Sequence, residues 1–254
     1  MSSMNGREYG SKGRVGVAPP QANPTVEPEI AACLPPNVGM YVTRLTSTCA
    51  TPKERFVEYF DNLDRSLQAY DTFKPDAFAF ACTATSYLFG HEKEAKEVDA
   101  LSKKFGYPII TGGQAIVAAL KKIGAKKVAI GAPYPEFVID ACRAYYEAAG
   151  FTITALKRIV TRLADTRTIY ELKSSDAITA LEGFDLNGAD TMLFTGSGMP
   201  GFRAIIEGEK ITGLPVLTSN ICMGWWLCKA IGQENWAKGP HKLLNGWQDR
   251  VESL

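Results

Sequence analysis

Asp76-Ala-Phe-Ala-Phe-Ala-Cys82 and Asp190-Thr-Met-Leu-Phe-Thr-Gly196 decide how this chain is read. Each runs from an aspartate through a short apolar stretch to a small residue, the pattern of a strand buried on both faces that then enters a loop. A second pair follows in the same order. Gly106-Tyr-Pro-Ile-Ile-Thr111 parallels Gly213-Leu-Pro-Val-Leu-Thr218, and each leads into a helical stretch closing on Lys121-Lys-Ile-Gly124 or Lys229-Ala-Ile-Gly232. Two ordered matches point to an internal duplication.

Outward from these stretches, short apolar runs alternate with amphipathic ones. Strands are expected at 14–18, 39–44, 77–81, 108–111, 127–131, 152–158, 191–195 and 215–218, and helices at 53–70, 92–105, 113–123, 136–149, 164–183, 201–210 and 221–231. This alternation specifies an α/β protein. The expected architecture is two similar lobes, each a parallel four-stranded sheet flanked by helices, related by a pseudo-two-fold axis with the active site between them. The lobes are expected at 14–125 and 126–227. Residues 1–13 read as a flexible leader, and the segment from about 228 to 254, with its tryptophans, is expected to pack back on the first lobe.

With 254 residues, 46% hydrophobic and 22% charged, the chain has globular composition and length for a substantial core. Lys+Arg 28 against Asp+Glu 27 leaves a net charge of +1, without the basic excess that phosphate backbones demand. Nucleic acid is thus not an expected partner. No run nears the roughly 20 apolar residues of a membrane span, and the polar start lacks a signal-peptide apolar region, so no membrane association and a cytoplasmic location are expected. Oligomeric state is left open, a homo-oligomer included.

The six cysteines form no C-x-x-C pair, which reads as reduced thiols and no zinc site. His91 and His241 are the only histidines, and neither accompanies a G-x-S-x-G or H-E-x-x-H motif. No P-loop is present, and the one G-x-G-x-x-G after a strand, Gly196-x-Gly198-x-x-Gly201, has no Asp or Glu at the distance of about 20 residues that a dinucleotide fingerprint needs. Chemistry without metal or cofactor, or simple binding, remains.

In parallel sheets ligands collect beyond the carboxyl ends of the strands. The loops at 82–86 and 196–200 should therefore converge on one cleft. Cys82 reads either as a thiol activated by nearby N–H dipoles or as a structural cysteine. Gly196-Ser197-Gly198 reads as a nest of amides for an oxyanion or as a tight turn. Asn23 and Thr25, after the first strand, suit carboxylate binding or an Asx-type turn. Tyr134 supplies a phenolic donor at the same edge or is a surface tyrosine. Trp225-Trp226, Cys222 and Cys228 read as core.

Taken together, Pro20-x-x-Asn23-x-Thr25-x-Glu27, the Cys82-Thr83-x-x-Ser86 loop and the duplication resemble the aspartate/glutamate racemase superfamily over 14–232. The branch they resemble is that of maleate cis-trans isomerases and arylmalonate decarboxylases. The resemblance implies that Cys82 is a nucleophile or acid/base, that Asn23, with Pro20 in the same motif, binds substrate, and that Thr83, Ala84 and Tyr134 build a carboxylate pocket faced by Ser197 and Gly198. The family's second catalytic cysteine falls on Gly196. Two-thiol racemisation and protonation from the second half are thereby removed. The resemblance then implies a cofactor-independent isomerase of a small unsaturated dicarboxylate working with one thiol. A malonate-type decarboxylase or a racemase is the alternative, and a carboxylate-binding protein the non-enzymatic one.

Overall fold

In a computed structural model, which describes residues 6–162 and 165–234, the first half contains β1 (Gly13–Ala18), α1 (Val26–Cys33), β2 (Val38–Val42), α2 (Pro52–Asp61), α3 (Leu63–Gln68), β3 (Ala77–Phe80), α4 (Thr83–Phe89), α5 (His91–Phe105), β4 (Ile109–Thr111) and α6 (Gly112–Ile123). The second half contains β5 (Lys127–Ala132), α7 (Glu136–Ala148), β6 (Thr152–Arg158), a 3-10 turn (Thr166–Glu171), α8 (Ser174–Thr179), β7 (Thr191–Phe194), α9 (Phe202–Thr212), β8 (Val216–Thr218) and α10 (Ser219–Ala230). Two parallel four-stranded sheets result, ordered β2-β1-β3-β4 and β6-β5-β7-β8. The duplicated α/β architecture expected from the sequence is the one observed.

The repeated residues each do a structural job twice. Asp76 accepts the amide of Arg14 at 2.8 Å, and Asp190 accepts those of Lys126 and Lys127 at 2.9 and 3.0 Å, so each carboxylate ties the start of its strand to the neighbouring one. Thr111 and Thr218 cap α6 and α10 through their hydroxyls. Gly124 (φ 79°) and Gly232 (φ 72°) then adopt the left-handed conformation just past the two helices. The equivalent helices α6 and α10 pack on one another, the contact a pseudo-two-fold relation requires.

Both sheets reverse direction of growth at the same place. From β1 the chain goes outward to β2 and returns to the other side of β1 as β3, and β5, β6 and β7 repeat the move. The loops after β1, β3, β5 and β7 therefore open onto the switch points where side chains can meet.

Several local expectations change. The helix expected at 53–70 breaks at Asn62 into α2 and α3. The one expected at 164–183 becomes the 3-10 turn and the short α8, with 163–164 outside the described residues. Two helices lie where loops were expected. α1 carries Pro28 in its first turn, where a missing N–H costs nothing, and α4 is short and buried on most sides, leaving no amphipathic period to see.

Part of the expected leader is tied down, because Arg7 pairs with Asp76 at 2.8 Å. Of the C-terminal segment, residues to 234 lie against the first lobe: α10 packs on α1 and α6, and Glu234 reaches Lys122 at 3.1 Å. Residues 235–254 fall outside the described residues. No described helix is long and apolar enough to cross a membrane.

One buried carboxylate joins the lobes. Glu29 on α1 accepts the amides of Gly201 and Phe202, at the start of α9, at 2.7 and 3.1 Å through Oε1, and Asn220 Nδ2 at 2.7 Å through Oε2. Burial pushes its carboxyl up to about 7, outweighing the donors that hold it ionised.

Candidate active site

Cys82 ends β3 as the N-cap of α4, and its side chain is 3% exposed. The thiol accepts Thr85 Oγ1 at 3.1 Å. Burial pushes its pKa up, while Thr85, the amides of Ala84 and Thr85, and the charge of Arg55 pull it down less strongly. The resting group is therefore a neutral thiol held where a thiolate would find donors.

Asn23 forms the Asx-type turn that is one of its two sequence readings. Its Oδ1 accepts the amides of Thr25 and Val26 at 2.8 and 3.1 Å, an Asx turn that starts α1. That bond fixes the amide plane and directs Nδ2 to Ser197 Oγ at 3.5 Å, across the lobes. Ser197 in turn donates to Ala81 O at 2.8 Å, and Thr25 donates to Gly198 O at 2.9 Å. Tyr134, fully buried after β5, shares a 2.6 Å hydrogen bond with Thr83 Oγ1. Burial raises its phenol well above the usual range.

The loops close on a cavity of about 30 Å³, room for little more than a water molecule. Pro20, Asn23, Cys82, Ala84, Tyr134, Ser197 and Gly198 all line it, as the expected convergence requires. Thr83 and Gly196 do not. Thr83 stands behind Tyr134, and the Gly196 amide is occupied by Ser219 Oγ at 3.0 Å, so it is no anion donor here. The remaining wall comes from residues the sequence reading missed: Arg55, Phe56 and Tyr59 from α2, and Thr166, Arg167, Ile169 and Tyr170 from the 3-10 turn. An arginine on the buried face of α2, beside Phe56, Tyr59 and Phe60, was the available signal. Beyond Tyr170 lies a wider cavity of about 390 Å³ bordered by Pro24, Glu29, Phe202 and Arg203.

Gly196, the second-half counterpart of Cys82 in the duplication, has φ +114°. A Cβ there would lie 2.9 Å from Pro133 Cγ and 3.6 Å from Tyr134 Oη. A cysteine at this point would strain the backbone and press on the Pro133 ring.

The sequence of residues 15–244 matches the family described as arylmalonate decarboxylase. The chain belongs to the arylmalonate decarboxylase family. Within reach of this family member are maleate isomerases of Geobacillus stearothermophilus, 24% identical over 246 residues (92% of this chain, 97% of that protein), and of Pseudomonas putida, 26% identical over 250 residues (92% and 97%). Among solved structures, the maleate isomerase of Pseudomonas putida S16 superposes with a TM-score of 0.82 at 21% identity, covering 92% of this chain and 98% of that one. A mutant of the Nocardia farcinica maleate cis-trans isomerase with a covalently bound succinylcysteine intermediate gives 0.78 at 21% identity, covering 86% and 92%. The branch that the sequence motifs resemble is the one these matches support.

Proposed function

We propose that this protein is a cofactor-independent enzyme that isomerises a small unsaturated dicarboxylate, maleate cis-trans isomerase-like, with Cys82 as its nucleophile. The observation that carries the reading is the placement of one thiol at a helix N-terminus, in an interlobe cavity whose lining includes no carboxylate. The relatives named maleate isomerase support it.

The chemistry needs only one thiol. Cys82 Sγ, as thiolate, adds to one alkene carbon, forming a C–S bond while the π electrons move onto the neighbouring carbon and its carboxylate. The resulting enediolate has a single bond where the double bond was. Rotation about it, followed by return of the electrons and breaking of the C–S bond, releases the trans acid and the thiolate with no net proton transfer. Asn23 Nδ2 and Tyr134 Oη hold carboxylate oxygens, and the amides of Ala84 and Gly198 face the charge that develops. Thr83 positions Tyr134, Ser197 positions Asn23, and Pro20 walls the cavity.

A second reading has its own support. A thiol kept protonated by burial is a proton donor, so a malonate-type decarboxylase could lose carbon dioxide to give an enediolate and protonate it from the Cys82 side. Its product would have the handedness set by that face. Proton NMR of the enzyme with maleate and with phenylmalonate separates the readings: fumarate is expected from the first, and loss of a carboxylate would overturn it. Replacing Cys82→Ala should lower turnover by about 10³-fold or more and leave the fold intact; retained turnover rejects Cys82 as nucleophile.

A further inference from the structure

Arg55 is the one charged side chain in the cavity lining that is buried: it is 3% exposed and projects from the α2 face that also carries Phe56 and Tyr59. A guanidinium is rarely taken out of water without a partner that uses its fork of donors. Nη2 donates to Asp165 Oδ1 at 3.2 Å and to Thr166 Oγ1 at 3.1 Å. Nε and Nη1 have no hydrogen bond to a described residue, and Arg55 lines the cavity. Only the Nη2 donors of the fork are used within the protein.

The local charge is also unbalanced. Asp165 is shared, since Arg167 approaches the same carboxylate through Nε at 2.9 Å as well as through Nη2. Arg55 and Arg167 both line the cavity, and Asp165 is the acidic group recorded against them. Two guanidiniums against one carboxylate leave one positive charge uncompensated. The donors around Asn23, Tyr134 and Gly198 come from the strand-end loops, whereas Arg55 comes from α2. A ligand with one carboxylate would use those and leave Arg55 as it is.

We propose that Arg55, assisted by Arg167, binds a second anionic group, so that the site selects dicarboxylates over monocarboxylates of the same shape. The proposal rests on the reading of this cavity as the substrate site, and it adds which substrates enter. Arg55 is a substrate-binding residue, with Asp165 the group that competes for it.

Calorimetric titration with succinate, a saturated dianion that cannot be isomerised, and with succinamate, in which one carboxylate is an amide, tests this without turnover. The native protein should bind succinate about tenfold or more tightly than succinamate, the scale of one charge-assisted contact. Arg55→Gln should bring succinate down to the succinamate level and change succinamate by no more than about twofold. Asp165→Asn should tighten succinate several-fold, because the competing charge is gone. A purely structural Arg55–Asp165 bridge makes the opposite forecast, with Asp165→Asn weakening both ligands alike.

Equal affinity for the two ligands in the native protein, equal weakening of both by Arg55→Gln, or weaker succinate binding by Asp165→Asn would each overturn the proposal. Should Arg55→Gln fail to fold, Arg55→Lys and Asp165→Asn decide, with Arg55→Lys expected to keep a reduced preference for succinate. Failure of the isomerase reading is separate. Maleate left unchanged by an enzyme that still prefers succinate rejects the reaction but not the anchor, and maleate turned over by Arg55→Gln with unaltered KM rejects the anchor but not the reaction.

Discussion

Cys82 carries two opposed demands. As a nucleophile it must ionise, yet its surroundings favour the neutral thiol. For an acid whose pKa is raised, the charged form appears only as pH climbs through the alkaline range. An isomerase that uses the thiolate should show kcat/KM rising with pH along one limb that ends above the usual thiol range, and Arg55→Gln should move that limb further up by removing a stabilising cation. A decarboxylase that uses the thiol as proton donor should show the reverse, activity falling along the same limb. A pH–rate profile with maleate reads the sign directly. The convergence of Cys82, Asn23 and Tyr134 on one cavity was legible because each stands just beyond a buried strand, where only a few residue types make sense. Arg55 was harder to read: it lies some thirty residues from the other site motifs on a helix, and only its place on an apolar face marks it.

At the level of elements, the duplication made the sheets readable. Asp76 and Asp190, Thr111 and Thr218, and Gly124 and Gly232 recur because each pair does the same mechanical work, so sequence likeness and structural likeness coincide. Replacing Gly124→Ala or Gly232→Ala puts a Cβ into the left-handed region and should cost about 1 kcal/mol in each case. Thermal or denaturant unfolding of the two variants should give similar losses. Markedly unequal losses would mean that the two helix ends are not equivalent in energy. What the pattern hid was whatever the halves do not share: α4 follows β3, whereas a turn follows β7, and the helix expected at 164–183 is broken to form the cavity wall. Functional asymmetry removed the cue that repetition supplies.

For the whole molecule, the joint between lobes is partly a titrating one. The Glu29 carboxyl sits at about 7 in the fold against an ordinary value of 4.5. The fold therefore binds this proton more tightly than the unfolded chain does. Its contribution to stability is complete below about 4.5 and lost as pH rises through about 7. Comparing Tm for the native protein and Glu29→Gln at about pH 5 and about pH 8 should show the native protein losing ground to the variant at the higher pH. Parallel behaviour would remove Glu29 as the cause. The 3-10 turn carrying Thr166 and Tyr170 meets α2 across the cavity, and the Arg55–Asp165 pair is the polar tie across that seam.

The backbone at Gly196 bears on how a second thiol could be built into this cavity. Because the ring of Pro133 fills the volume a side chain would enter, and the torsion there is one that residues with a β-carbon rarely adopt, a single codon change toward cysteine would meet a steric cost before any gain in reactivity. Position 133 would have to give way first. A library aimed at adding a second sulfur should vary both sites together.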